Sequence, residues 1–281
     1  IVAGEGNDTV SGGTGNDIIY GGDNPDAEGS GDDSINAGAG NDTVISGDGN
    51  DTVIAEDGDD SISAGAGNDS VDSGAGADTI EAGTGDDIIR GGAGDDKINA
   101  GDGDDTVDAG FGDDTVIGGA GNDTLDGNSG RDLLDYSTET GDADINLNTG
   151  VVDAPDSGTD TVTNFEDITA GSGDDTITGG INANVIDGGA GADIINTLSG
   201  DDTVIFDAQD TVDMGVGIDT LAIQTTTLVD FANIDDDQFT GLEEIDLTGN
   251  GAQNVAMSDT DVLNFSDTSN QIVVHGDNTD A

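Results

Sequence analysis

Residues 37–54 read AGAGNDTVI SGDGNDTVI, two nine-residue units in tandem that differ only at their first and third places. Working outward, the same unit runs from Ala3 to Asp135 in fourteen copies, beginning at 3, 12, 21, 37, 46, 55, 64, 73, 82, 91, 100, 109, 118 and 127. The copy at Gly21 carries a seven-residue insertion. Place four is Gly and place six is Asp in every copy, and place eight is always Val, Ile or Leu. Self-similarity at a fixed period is the mark of a repeat architecture. Ile1 and Val2 fit places eight and nine of an earlier copy, so the chain is expected to begin inside the array.

Each third of the unit has its own physics. Places one to four are small and Gly-rich and suit a tight turn with positive φ. Places seven to nine, such as Thr43-Val44-Ile45, are β-prone and alternate outward, inward, outward. A strand of about three residues and a six-residue turn cannot make a hairpin sheet of ordinary strand length, but they can coil. Two copies would form one circuit of a flattened parallel solenoid, each copy stacking on the copy eighteen residues away at roughly 4.8 Å. Seven circuits give a rod on the order of 34 Å long.

Composition sets the chemistry. The 281 residues hold 63 Asp and Glu against 3 Lys and Arg, a formal charge of −60. Nucleic acid, anionic lipid and acidic substrates are poor partners on charge alone. No apolar run reaches membrane-spanning length. Cys is absent, which removes disulfides and thiolate metal sites. One inward aliphatic residue per copy is a thin core. Stacking would also align the place-six Asp residues at intervals of about 5 Å, where unit charges repel by about 3 kcal/mol even at an effective dielectric of about 20. A cation between turns is the direct remedy. Carboxylate and carbonyl oxygens make a hard site, and flexible oxygen ligands favour Ca²⁺ over Mg²⁺.

The unit GGxGxDxUx, seen at Gly118–Asp126 as GGAGNDTLD, resembles the RTX (hemolysin-type) calcium-binding nonapeptide. The likeness covers 1–135 and returns at 170–222. It implies an all-β fold, a right-handed parallel β-roll in two blocks, with Ca²⁺ held between turns by place-six Asp and turn carbonyls. Carried over copy by copy, the implied ligands of the first block are Asp8, Asp17, Asp33, Asp42, Asp51, Asp60, Asp69, Asp78, Asp87, Asp96, Asp105, Asp114, Asp123 and Asp132. The second block runs through copies at 170, 179, 188, 197, a degenerate 206–213, and 214, and adds Asp175, Asp193, Asp202 and Asp219. Asn184 occupies place six without a charge, and Asp210 is shifted, so neither is assigned a metal. Roughly 12 to 18 Ca²⁺ are expected. Twelve in the first block and four in the second would bring −60 to about −28.

Outside the arrays, residues 136–169 read as an insert with strands at 143–148 and 161–168. Residues 223–281 are denser in apolar side chains and read as a β-rich cap, with a short helix N-capped by Ser258 and a strand over 271–275. Both stretches resemble segments of large RTX proteins. Arg90 lies eighteen residues from Asp72 and from Asp108, so the two-sheet roll predicts a cross-strand ion pair there. Arg131 stands at place five of the last copy, where its guanidinium is expected to replace an end calcium.

Competing readings are weaker. The Gly-rich turns have no following helix or Lys to bind phosphate, and no Glu falls in EF-hand register. Dozens of equivalent carboxylates argue against a glycosidase pair, whose two members need different environments. The sole His, His275, reads as a strand surface residue. Outward Thr rows suggest an ice-binding face, but Lys97 and Ile88 interrupt them. The resemblance therefore implies a non-catalytic extracellular module that folds on calcium after type I secretion. Its expected place is the bacterial cell surface, in a surface-layer, filament or adhesin protein, beside neighbouring domains and with self-assembly into a lattice or filament. The alternative is the calcium module of a secreted protease, lipase or polysaccharide epimerase.

Overall fold

The alternation of outward Thr and inward aliphatic residues builds two facing parallel sheets. The computed structural model describes residues 1–22, 31–207, 209–223, 229–230, 239–246, 255–256 and 272–275. The chain divides into two compact units, Ile1–Asp135 with Ser157–Phe165, and Tyr136–Asp156 with Glu166–Ala281. Among the described residues there is no helix, so none long and apolar enough to cross a membrane.

In the first unit successive copies alternate between the sheets. Thr43–Asp48, Ser61–Ala66, Thr79–Thr84, Lys97–Asp102 and Thr115–Ala120 run side by side in one. Ser70–Ala75, Ile88–Ala93, Thr106–Phe111 and Thr124–Ser129 run in the other. The register is eighteen residues throughout this stretch, as at Ile62↔Ile80 and Val107↔Leu125. Most strands span six residues, from place seven to place three, rather than about three. The inward-outward alternation simply continues: Ala64, Ala82, Ala100 and Ala109 at place one are fully buried beside Ile62, Ile80, Ile98 and Val107. In these copies the core therefore takes two side chains, not one, and small residues at place one, glycine at Gly91 and Gly118, let the sheets close on it.

Arg90 sits in register between Asp72 and Asp108, as the two-sheet roll predicts. The ion pair itself is not formed among the described residues. Asp108 Oδ1 instead accepts from Asn128 Nδ2 at 2.5 Å, and an exposed pair would add little in any case. Lys97 lies between Thr79 and Thr115, breaking the Thr row.

The insert is not a pair of plain strands. Asn164 adopts a left-handed conformation (φ 57) that ends Gly158–Thr163 and separates it from Asp167–Thr169. Gly158–Thr163 (GTDTVT) is the second half of a repeat, with Gly, Asp and Val at places four, six and eight, and it pairs with Thr124–Ser129 in the first unit. In the second unit, Asp144–Asn146 pairs antiparallel with Val151–Ala154 on one side and parallel with Thr176–Thr178 on the other. Ile194–Asn196 and Thr211–Asp213 continue that sheet. The facing sheet carries Asp167–Thr169, Val185–Asp187, Thr203–Ile205, Thr220–Ala222, Glu244–Asp246 and Val273–His275, all parallel. His275 is exposed on the last of these, its Nε2 3.2 Å from Glu244 Oε2. The helix expected after Ser258 lies outside the described residues.

Candidate metal centre

Each turn lines up a column of groups along the stack, and glycine makes the close approach feasible. A Cβ at Gly67 (place four, φ 135) would lie 2.0 Å from Gly49 O of the preceding turn, and one at Gly65 (place two, φ 112) 2.0 Å from Gly47 O. The hydrogen bonds that tie the turns together use carbonyls of places three and six, as in Gly49 N to Ala66 O (2.7 Å) and Thr52 N to Asp33 O (2.8 Å). The place-four carbonyls are left out of that ladder and point along the column.

The place-six aspartates form the inner column. All those expected are buried except Asp8 and Asp17, which are half-buried. From Asp33 onward, one oxygen of each carboxylate is used structurally. Asp69 Oδ1 accepts from Asp51 N (2.7 Å), Asp96 Oδ1 from Asp78 N (2.8 Å) and Asp123 Oδ1 from Asp105 N (2.8 Å). The same rung recurs from Asp8 N on Asp33 to Asp114 N on Asp132, and in the second unit from Asp175 N on Asp193 and Asp202 N on Asp219. The other oxygen, Oδ2, is buried and accepts no hydrogen bond in Asp8, Asp17, Asp42, Asp51, Asp60, Asp69, Asp78, Asp87, Asp96, Asp105, Asp114 and Asp123, nor in Asp175, Asp193, Asp202 and Asp219.

A row of buried, unpartnered carboxylate oxygens is costly. Desolvation disfavours the charged form, and each unmet acceptor forfeits its hydrogen bond to water. Burial pushes the carboxyls of Asp69, Asp96, Asp123 and Asp219 up to about 7, and those of Asp60, Asp87 and Asp105 up to about 6. The N–H bond from the preceding turn opposes this rise, and neighbouring carboxylates add to it. A bound dication reverses the local logic by compensating the buried charge. The donors fit such an ion in kind: the same turns carry unpartnered carboxylate oxygens and carbonyls outside the hydrogen-bond ladder, hard and oxygen-only, without His or Cys. Among the described residues no three carboxylate, imidazole or thiolate side chains converge, so backbone carbonyls must complete any coordination shell.

Sequence reasoning missed one member of the columns and left a second out of register. Asp160, 1% exposed, receives Asp123 N on its Oδ1 at 2.8 Å and so serves as a place-six residue thirty-seven positions on. The half-repeat GTDTVT was its visible signal. Asp210 also takes place six, because the copy at 206–213 is one residue short; its oxygens accept from Asp193 N (3.2 Å) and Asp207 N (3.1 Å). In the insert, Ala143 stands where an Asp would be, donating its N–H to Asp175 Oδ1 at 2.8 Å. Asn184 is buried at place six and hydrogen-bonded through both side-chain ends. Arg131 extends the outer place-five column, its N–H donating to Asp113 Oδ1 at 2.9 Å while the side chain stays exposed.

No curated protein matches the chain. The family described as RTX calcium-binding nonapeptide repeat (4 copies) matches residues 1–26, 29–53, 45–80, 72–107, 81–116, 99–134 and 169–204, more than half of the sequence. Such repeats are typical of secreted bacterial proteins, and their β-roll is a structural calcium-binding module. With the parallel stack and its columns of buried aspartates in place, the chain belongs to the RTX calcium-binding nonapeptide repeat family.

Proposed function

We propose that this chain is the calcium-folded scaffold of a larger extracellular bacterial protein, carrying no catalytic group of its own. The observation that carries the reading is the row of buried Oδ2 atoms without hydrogen-bond partners. The place-six aspartates, Asp8 through Asp132 and Asp175, Asp193, Asp202 and Asp219, would hold calcium together with place-four carbonyls. The ion would supply positive charge between turns and nothing else. Because the columns exist only when the turns are stacked, binding favours the folded state and couples folding to calcium. At low cytoplasmic calcium the chain would remain unfolded, suited to passage through a type I secretion channel, and would fold outside the cell. The parent protein we favour is a surface-layer, filament or adhesin protein at the cell surface. Many equivalent rungs suit a repeated mechanical element, whereas catalysis needs one singular site.

The test is circular dichroism during calcium titration, with magnesium as control. β-structure should grow cooperatively with calcium and far less with magnesium, whose octahedral demand the spaced carbonyls do not meet. Unchanged β-content in excess chelator would overturn the coupled-folding reading.

A further inference from the structure

In the aspartate copies, Oδ2 lies close to the place-one backbone. A Cβ added at Gly118 would sit 2.6 Å from Asp123 Oδ2, and one at Gly188 would sit 2.5 Å from Asp193 Oδ2. At Gly179 the atom found there, also at 2.6 Å, is Asn184 Oδ1. It is not unpartnered: Gly180 N donates to it at 2.8 Å. The other end of the side chain is reversed as well. Where Asp193 Oδ1 accepts an N–H from the preceding turn (Asp175 N, 2.8 Å), Asn184 Nδ2 donates to the preceding turn's carbonyl, Glu166 O, at 2.5 Å. These partners fix the amide orientation, since an N–H can meet only the oxygen and a carbonyl only the nitrogen. Asn184 N still donates to Asp202 Oδ1 at 2.8 Å, so the residue stays within its column.

The backbone differs as well. Most place-two residues elsewhere are left-handed, including Gly119 (φ 94), Gly92 (φ 105) and even Leu198 (φ 70); Gly180 and Gly171 are not, but a Cβ at Gly171 would still lie 2.2 Å from Glu139 O. A Cβ at Gly180 would meet nothing closer than 3.7 Å, so no carbonyl of the preceding turn presses on it. Asn182 replaces the place-four glycine of the same turn.

We propose that the Gly179–Asp187 copy is a metal-free rung, in which the Asn184 carboxamide does the work that calcium does in the aspartate copies. The proposal rests on reading those copies as calcium sites. The amide bridges the two turns with one donor and one acceptor and leaves no buried charge to neutralise. An ion there would have to break both hydrogen bonds and meet an NH₂ group. Identity at place six therefore decides whether a turn is tied by metal or by amide, and one link of the second unit holds without calcium.

The test uses the full chain saturated with calcium. Anomalous scattering should place ions beside Asp193 and Asp202 and none at Asn184, and Asn184→Asp should bind one ion more than the wild type by native mass spectrometry. An ion on Asn184 Oδ1, or an unchanged count in an Asn184→Asp variant with wild-type β-content, overturns the metal-free rung. If Asn184→Asp does not fold, the wild-type scattering decides alone. Absence of ions from every aspartate rung is a different result: it refutes the calcium reading itself.

Discussion

At Gly67 and Gly180 the same residue type does two different jobs. Gly67 is left-handed (φ 135) and faces Gly49 O at a distance no side chain can share. Gly67→Ala should therefore cost at least about 1–3 kcal/mol from backbone strain alone, with the clash in addition. Gly180→Ala, in open space and outside the left-handed region, should shift stability by no more than about 1 kcal/mol. Calcium-saturated thermal unfolding of the two variants checks the contrast, and equal losses would refute this account of the column. Asp96→Asn separates structure from charge at a single rung. The amide can still accept Asp78 N through Oδ1, as Asp96 does at 2.8 Å, but it cannot balance a dication. We expect a higher calcium midpoint and a loss of about 1–3 kcal/mol in the calcium-saturated chain. An unchanged midpoint would remove Asp96 from the ligand set.

Whole elements depend on whether a repeat is complete. Gly158–Thr163 carries only half of one, yet it continues a sheet of the first unit because Asp160 supplies the rung that Asp123 N requires. Asp160→Ala should leave that buried N–H unmet, at a cost of about 1–3 kcal/mol, while Asp160→Asn keeps an acceptor and should cost less. Urea unfolding of both variants in calcium tests this ranking; equal losses would mean that Asp160 acts through charge and not through the hydrogen bond it accepts from Asp123 N. The element scale also shows what could be read from sequence. Fixed Gly, Asp and aliphatic places gave the coil, its eighteen-residue register and the position of Arg90 between Asp72 and Asp108. Strand length was not legible, because Ala64 or Ser73 at place one signals burial only once the facing sheet is known. Nor was the reversed rung at Asn184, which rests on the amide's two partners, Gly180 N and Glu166 O. The half-repeat at 158–163 was legible in principle, but it lies off the nine-residue count and so escaped the period.

For the molecule as a whole, the charge of −60 and the buried columns make proton and calcium rivals for the same oxygens. In the unfolded chain, aspartates titrate near 3.9. Folded without metal, Asp69, Asp96, Asp123 and Asp219 are raised to about 7, and Asp60, Asp87 and Asp105 to about 6, mainly by burial. Between about pH 4 and pH 7 the metal-free folded chain thus binds more protons than the unfolded one, so its stability rises as pH falls through these values. This is the opposite sign to an acid held ionised by a salt bridge, whose contribution is lost on acidification. A calcium-stripped chain should gain β-structure as it is taken from about pH 8 to about pH 5, and lower self-repulsion acts in the same direction. With calcium present the trend inverts. Bound ions require ionised carboxylates, so the calcium midpoint should move to higher concentration over the same acidification. Circular dichroism of the stripped chain against pH, and calcium titrations at the two ends of the range, read both effects. A stripped chain that loses β-structure on acidification would show that the columns are not buried as described, and a midpoint insensitive to pH would show that calcium does not sit on these carboxylates.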